Sequence, residues 1–176
     1  NSLQFKAMAV ICFVFQLSLS FAQNWVPVTP ASISDKGDKD IVPLKFQTYQ
    51  VSDDDLKEIL WNAPDERNTD VYTSNSIITL ADPDGEVSQF RVVRYHMMEQ
   101  GLEDKFPQIR TYYGVGAGDP SVLARIDYTD HGLRAVVYSS FGTYYIDHYQ
   151  RNDVEHKIVY YTKDFDKKKK WECGVS

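Results

Sequence analysis

A mainly β domain, an antiparallel sheet or sandwich with one or two short helices packed on it, is what this sequence predicts, and three observations carry the expectation. Aromatic residues reach 14%, with 12 Tyr and 9 Phe, and such flat, stiff side chains favour pleated surfaces over helical ones. Apolar and polar residues alternate with period two through 122–128, 133–137 and 144–148, the spacing of a half-buried strand. The links between these runs are short, whereas parallel neighbours need a crossover of a dozen or more residues. At 176 residues, 43% hydrophobic and 25% charged, the chain fits one hydrophobic core of ordinary size. Nineteen Lys and Arg against 25 Asp and Glu leave a net charge of -6. That is the wrong sign for gripping phosphate backbones, so nucleic acid is excluded as a partner class.

The first element is an address. Lys6 precedes the apolar run Ala7 to Phe15, which fades through Gln16, Ser18 and Ser20 to Ser20-Phe21-Ala22. A positive start, an apolar middle and small residues at a cut describe a secretory signal peptide over 1–22, cleaved between Ala22 and Gln23. A membrane span needs about 20 predominantly apolar residues, and polar ones enter here after nine; no span is expected once the signal is removed. Ile11 before Cys12 is too bulky for a lipid-anchor signal. The product is expected outside the cell or on its surface, and the sequence reads as a fragment of a longer gene product. Removal of Lys6 with the signal gives -6 - 1 = -7 and leaves Cys173 as the single cysteine. In an oxidising compartment, where thiols usually pair, an unmated thiol calls for a role.

From 23 to 43 the chain is rich in Pro, Ser, Asp and Lys and is expected to be a loosely ordered arm. The β-rich body is expected over 44–162. Leu44 to Val51 has strand-like residues. Ser52 is placed to cap a helix whose first turn holds Asp53, Asp54 and Asp55 and which Pro64 stops. Its apolar stripe is Leu56, Ile59, Leu60 and Ala63. Residues 65–75 are polar and read as a loop. Ser76 to Leu80 and Val87 to Tyr95 form a hairpin about Asp82-Pro83-Asp84-Gly85. A short helix is expected over Glu99 to Phe106, with Leu102 and Phe106 on one face. Strands follow at 122–128, 133–137 and 144–148, turned by Asp130-His131-Gly132 and Phe141-Gly142-Thr143. A last strand runs from Lys157 to Thr162, and a basic linker occupies 163–176.

Few residues group as chemistry requires. Gly114-Val115-Gly116-Ala117-Gly118 lacks the helix of a dinucleotide fingerprint and the Lys-Ser/Thr of a P-loop, and is expected to supply turn geometry. His96, His131, His148 and His156 are scattered, and none forms the His-Glu-x-x-His pair of a zinc protease. A nucleophilic dyad of Cys173 with a histidine lacks the burial that sets a thiol against its base. Lys167 to Lys170 read as a solvated run, a protease-sensitive hinge or a positive field that favours the Cys173 thiolate.

The final residues, Trp171-Glu172-Cys173-Gly174-Val175-Ser176, resemble the cysteine switch of metzincin zinc proteases, whose pro-regions carry a Cys-Gly-Val core. Such switches usually carry a Pro and a basic residue within a few positions before the cysteine; here Trp171 and Glu172 intervene after Lys170, and no Pro is present. The body resembles the pro-region of secreted bacterial reprolysin-like metalloproteases in four stretches. These are Leu56 to Leu60 with Ala63-Pro64, the Asp84-Gly85 hairpin with Phe90, Lys105 to Ile109 leading into Tyr112 to Pro120, and Tyr145 to Tyr149. The resemblance implies an inhibitory, folding-assisting segment that is not itself an enzyme and holds no cofactor. Its partner would be its own downstream protease domain, whose catalytic zinc Cys173 would cap; zinc favours thiolate, and a catalytic zinc keeps one position open. A rival reading is a secreted β-sandwich module that binds a surface or polysaccharide partner through exposed Tyr144, Tyr145 and Tyr149. A thiol enzyme is the third.

Overall fold

The computed structural model describes residues 24–39 and 41–165. The signal segment, the Ala22 and Gln23 cleavage pair and Cys173 lie outside the described residues. Among the described residues nine strands form one sheet: β1 (Val26–Pro27), β2 (Gln47–Gln50), β3 (Ile77–Ala81), β4 (Val87–Tyr95), β5 (Arg110–Gly116), β6 (Leu123–Thr129), β7 (Gly132–Ser139), β8 (Gly142–His148) and β9 (His156–Tyr161). Their order is β1-β2-β9-β8-β7-β6-β5-β4-β3, and every neighbour pair is antiparallel. The mainly β expectation holds.

Strands β3 to β9 run as a meander, and β2 pairs with the last of them, so β1 and β3 are the two edges. The sheet curls until those edges approach. Trp25 Nε1 donates to Thr79 O at 2.9 Å, and the Tyr49 hydroxyl reaches Asp82 O at 3.1 Å. Into the curl packs α1 (Asp53–Trp61), which touches β3 on one side and β7 on the other. Its start is the expected one: Ser52 Oγ accepts from the Asp55 amide at 3.2 Å, and three aspartates meet the positive end of the helix dipole. Leu56 and Leu60 are fully buried in the core with Ile78, Leu80, Phe90, Leu133 and Ile146, and Ile59 and Ala63 pack at its margin.

Three expectations are corrected. The segment taken as a loose arm is a covering layer. Ile33 is buried with Tyr149, Ile158 and Tyr160, flanked by Val28, Ile41 and Phe46, so a second apolar cluster lies on the outer side of β8 and β9. Its anchors are isolated between Pro, Ser and Asp, and a lone anchor makes no period to read. The loop 65–75 does likewise, laying Val71 against Val93 and Val115.

The first part of the glycine run, Gly114 to Gly116, is strand, and only Ala117 and Gly118 enter the bend before β6. Neither Gly114 nor Gly116 has a positive φ, and both lie in β5. Glycine is required there by contact: a Cβ on Gly114 would sit 3.3 Å from both Ala124 Cβ and Val92 Cγ1, and one on Gly116 would strike the Asp119 carbonyl oxygen.

The short helix α2 shrinks to Gln100–Glu103 and turns its charge inward. Glu103 is buried while Leu102 and Phe106 stand in water.

Gly132, by contrast, needs its conformation. Its φ is +83, and a Cβ would lie 2.9 Å from Asp53 Oδ1 and 3.1 Å from Lys157 Nζ. Gly132→Ala is expected to destabilise by about 2 kcal/mol, from the left-handed backbone alone roughly 1–2 and from displacement of the Asp53 and Lys157 side chains beyond that. A urea titration measures it, and a change within roughly 0.5 kcal/mol, the scale of an ordinary surface substitution, contradicts it.

Candidate functional site

The strand directions give the curled sheet two unlike ends. One gathers the starts of β4, β6 and β8 with the ends of β5, β7 and β9, and here the described chain stops at Phe165. After Tyr161 the backbone makes a 3-10 turn over Thr162–Asp164, pinned by Thr162 Oγ1 on Thr143 O at 3.0 Å and by the Leu44 amide on Asp164 O at 2.8 Å. Between this turn and the β7–β8 hairpin lies a depression of about 500 Å³ lined by Phe141, Gly142, Thr143, Tyr161, Thr162, Lys163 and Phe165.

Its floor is aromatic and rigid. The Tyr161 ring stands edge-on to Tyr144 at 6.1 Å and its hydroxyl donates to Asp84 Oδ2 at 2.6 Å. Burial, with that carboxylate, pushes the phenol well above its usual range. Phe165 stacks on Tyr160, which stacks on Tyr145. The rim is apolar and wet: Phe141 is 86% exposed and Phe165 43%, and Leu44, whose amide bonds Asp164, is 76% exposed. Large apolar side chains grouped in water around a concavity mark an interaction surface. Around it lie carboxylates. Asp82, Asp84 and Asp164 all act on Tyr161, and Asp164 Oδ2 is buried without a hydrogen-bond partner among the described residues.

The opposite end is polar and self-satisfied. His96 sits between two carboxylates, Nδ1 at 2.9 Å from both Glu103 oxygens and Nε2 at 2.8 Å from Asp65 Oδ2. Arg67 braces Asp65 and holds its carboxyl far below the usual carboxylate range; Arg94 pairs with Glu103 at 3.2 Å. This clamp ties the 64–68 loop to α2. Beside it a recess of about 310 Å³ is lined by Asp127, Thr129, Asp130, His131, Arg134 and His148 with Ile109. Burial pushes the Asp127 carboxyl up, countered by Arg134, and Arg134 is itself committed to Asp147 at 2.6 Å. Two of the scattered histidines meet here, His131 and His148, with ring centroids 6.1 Å apart. Among the described residues no three His, Cys, Asp or Glu side chains are grouped to hold a metal ion.

The tyrosines expected to form an exposed ligand surface do not form one. Tyr144 is 5% exposed and Tyr149 3%, and Tyr145 is half-buried against Tyr160. Tyr144 faces the inner core, whereas Tyr149 faces outward and is covered by the arm. What reading along the chain missed is Phe141. A large apolar residue at a hairpin tip beside Gly142 is too far from either core to be buried, and that position was the signal for it. Scans against protein-family models, curated proteins and solved structures find no match to this chain.

Proposed function

We propose that this chain is the pro-region of a secreted zinc endopeptidase, which assists the folding of a downstream catalytic domain and holds it inactive through Cys173. The observation that carries the reading is the lone exported cysteine in its Cys-Gly-Val setting, placed just beyond the apolar end of the body. Cys173 follows Phe165 by 173 - 165 = 8 residues, a span of at most about 26–29 Å when fully extended. A metal capped by this thiol therefore lies within that radius of the depression, and the wet rim of Leu44, Phe141 and Phe165 belongs to the surface nearest the catalytic domain. The short tether raises the effective thiol concentration to about the mM range, so a weak contact keeps the site closed. The thiolate would hold that zinc in the position the attacking water needs.

The test uses the full-length gene product. Cys173→Ala is expected to abolish latency, seen as peptide hydrolysis by the unprocessed protein, while Cys173→His, another zinc ligand, retains part of it. Unchanged latency in Cys173→Ala overturns the metal-capping role. So does the absence of a His-Glu-x-x-His-x-x-Gly-x-x-His segment downstream.

A further inference from the structure

The geometry points to a ligand for the recess beside the His96 clamp: we propose that it binds a small zwitterion of the α-amino acid class, whose carboxylate meets Arg134 and His131 and whose ammonium meets Asp127. The clamp is saturated by its own charges. The recess, of about 310 Å³, is the exception at this end of the sheet. Its volume lies at the lower limit of the roughly 300–1,000 Å³ of ligand sites, so the occupant is small.

The anion half stands ready before any ligand arrives. Arg134 Nε donates to Asp147 Oδ1 at 2.6 Å, and the Tyr160 hydroxyl donates to the other oxygen at 2.9 Å. Asp147 is 2% exposed, so a buried carboxylate, itself held, fixes the guanidinium. The two Nη groups of Arg134 make no hydrogen bond among the described residues, and the side chain is 46% exposed. A guanidinium with only its Nε committed keeps the end-on fork that grips a carboxylate through two parallel N–H···O bonds. His131 joins it from the β6–β7 turn, which is pinned by the His131 amide on Thr129 Oγ1 at 3.1 Å and closed by the left-handed Gly132.

The ammonium half is an acid without a donor. Asp127 lies directly across from Arg134 in the β6–β7 register, yet Asp147 holds that guanidinium, and no hydrogen bond reaches the Asp127 carboxyl among the described residues. Burial pushes this carboxyl up, and Arg134 counters it only in part. A half-buried carboxylate that lacks donors costs stability. An arriving ammonium supplies them.

Charge selects the class. A simple anion in the recess would meet Asp127 and Asp130, and a simple cation would meet Arg134. A molecule that carries both signs a few bonds apart meets each with its opposite. Ile109 gives its side chain an apolar wall. Nothing in this site involves Cys173, so it and the metal-capping reading fail separately.

The test titrates the intact chain at neutral pH and follows the His131 and His148 rings in long-range proton–nitrogen spectra. L-Alanine is expected to displace both ring signals saturably. Acetate and methylamine, each carrying one of its two charges, are expected to bind at least about tenfold more weakly, the scale of one lost charge-assisted hydrogen bond. Asp127→Asn keeps the shape and removes the charge; it is expected to bring L-alanine down to the level of acetate. Arg134→Gln is expected to bring it down to the level of methylamine, and if that variant does not fold with Asp147 unpaired, Asp127→Asn still decides. Ring signals that L-alanine leaves in place overturn the proposal. So does acetate binding as tightly as L-alanine, which reduces the recess to an anion site, or a preference for L-alanine that survives in Asp127→Asn.

Discussion

Trp25→Ala is expected to cost about 3–5 kcal/mol, the range for emptying a buried Trp or Phe site, although Trp25 lies in a segment whose composition suggests slack. The side chain is 5% exposed, stands edge-on to Tyr49 at 5.9 Å and donates to the backbone of the far edge strand at 2.9 Å. It is thus the bolt between the two edges of the curled sheet. Its loss opens a cavity in the principal core and removes a link between β1 and β3. Val26→Ala next to it, at 42% exposed, is expected to change stability within roughly 0.5 kcal/mol. Urea unfolding of both variants separates a bolt from a loose arm: similar small changes in the two would mean that the edges are held by something other than Trp25.

The pattern of what could be read along the chain follows from the range of each interaction. The helix α1 was legible down to its cap because Ser52, Asp53 to Asp55 and the stripe through Leu56 and Leu60 are all local. The β3–β4 hairpin was legible because Asp84-Gly85 sits between alternating runs, and β4 matches its expected bounds. Strand β5 was not, because Gly114 and Gly116 signal a turn locally; only the neighbours Val92, Ala124 and Asp119, distant in sequence, make them a packing necessity. The covering layers were invisible for the same reason. In β9 every residue from Lys157 to Tyr161 is buried, which an alternating half-buried strand does not allow. A sheet covered on both faces erases the period that identifies it.

The two ends of the sheet divide labour on physical grounds. At the His96 end the groups of the clamp have charged partners within hydrogen-bond distance: Asp65 with Arg67, Glu103 with Arg94 and His96. Such a network holds a loop in one place and leaves little for a partner to gain by binding it. At the Phe165 end the reverse holds: bulky apolar groups stand in water above an aromatic floor, with carboxylates alongside. Association there removes apolar surface from water at about 25 cal/mol per Å², and the tail that carries the lone cysteine begins at that same end.

Raising the pH from about 7 to about 10 is expected to stabilise this protein by about 2 kcal/mol, against the usual fall in stability toward alkaline conditions. The cause is Lys157, which is 0% exposed and whose ammonium donates to Leu133 O at 3.1 Å. Burial lowers its pKa from 10.5 to about 8, against the raising influence of Asp53, Asp153 and Asp147. The unfolded chain therefore binds the proton more tightly, and between about 8 and 10.5 it carries more protons than the folded one. Stability rises with pH wherever the unfolded state binds more protons. The full penalty, about 3 kcal/mol at 1.36 kcal/mol per unit, is present below about pH 8 and fades as the pH climbs toward 10.5. Tyr128, Tyr144, Tyr160 and Tyr161 act in the opposite sense. Burial raises each phenol, so the unfolded chain ionises first above about pH 10 and stability then falls. A maximum near pH 9 to 10 is the combined result. Lys157→Met is expected to erase the rise while leaving the alkaline fall, whatever its effect on absolute stability. A wild-type curve flat from pH 7 to 10, or a Lys157→Met curve that keeps the rise, would show that this amine is not the titrating group.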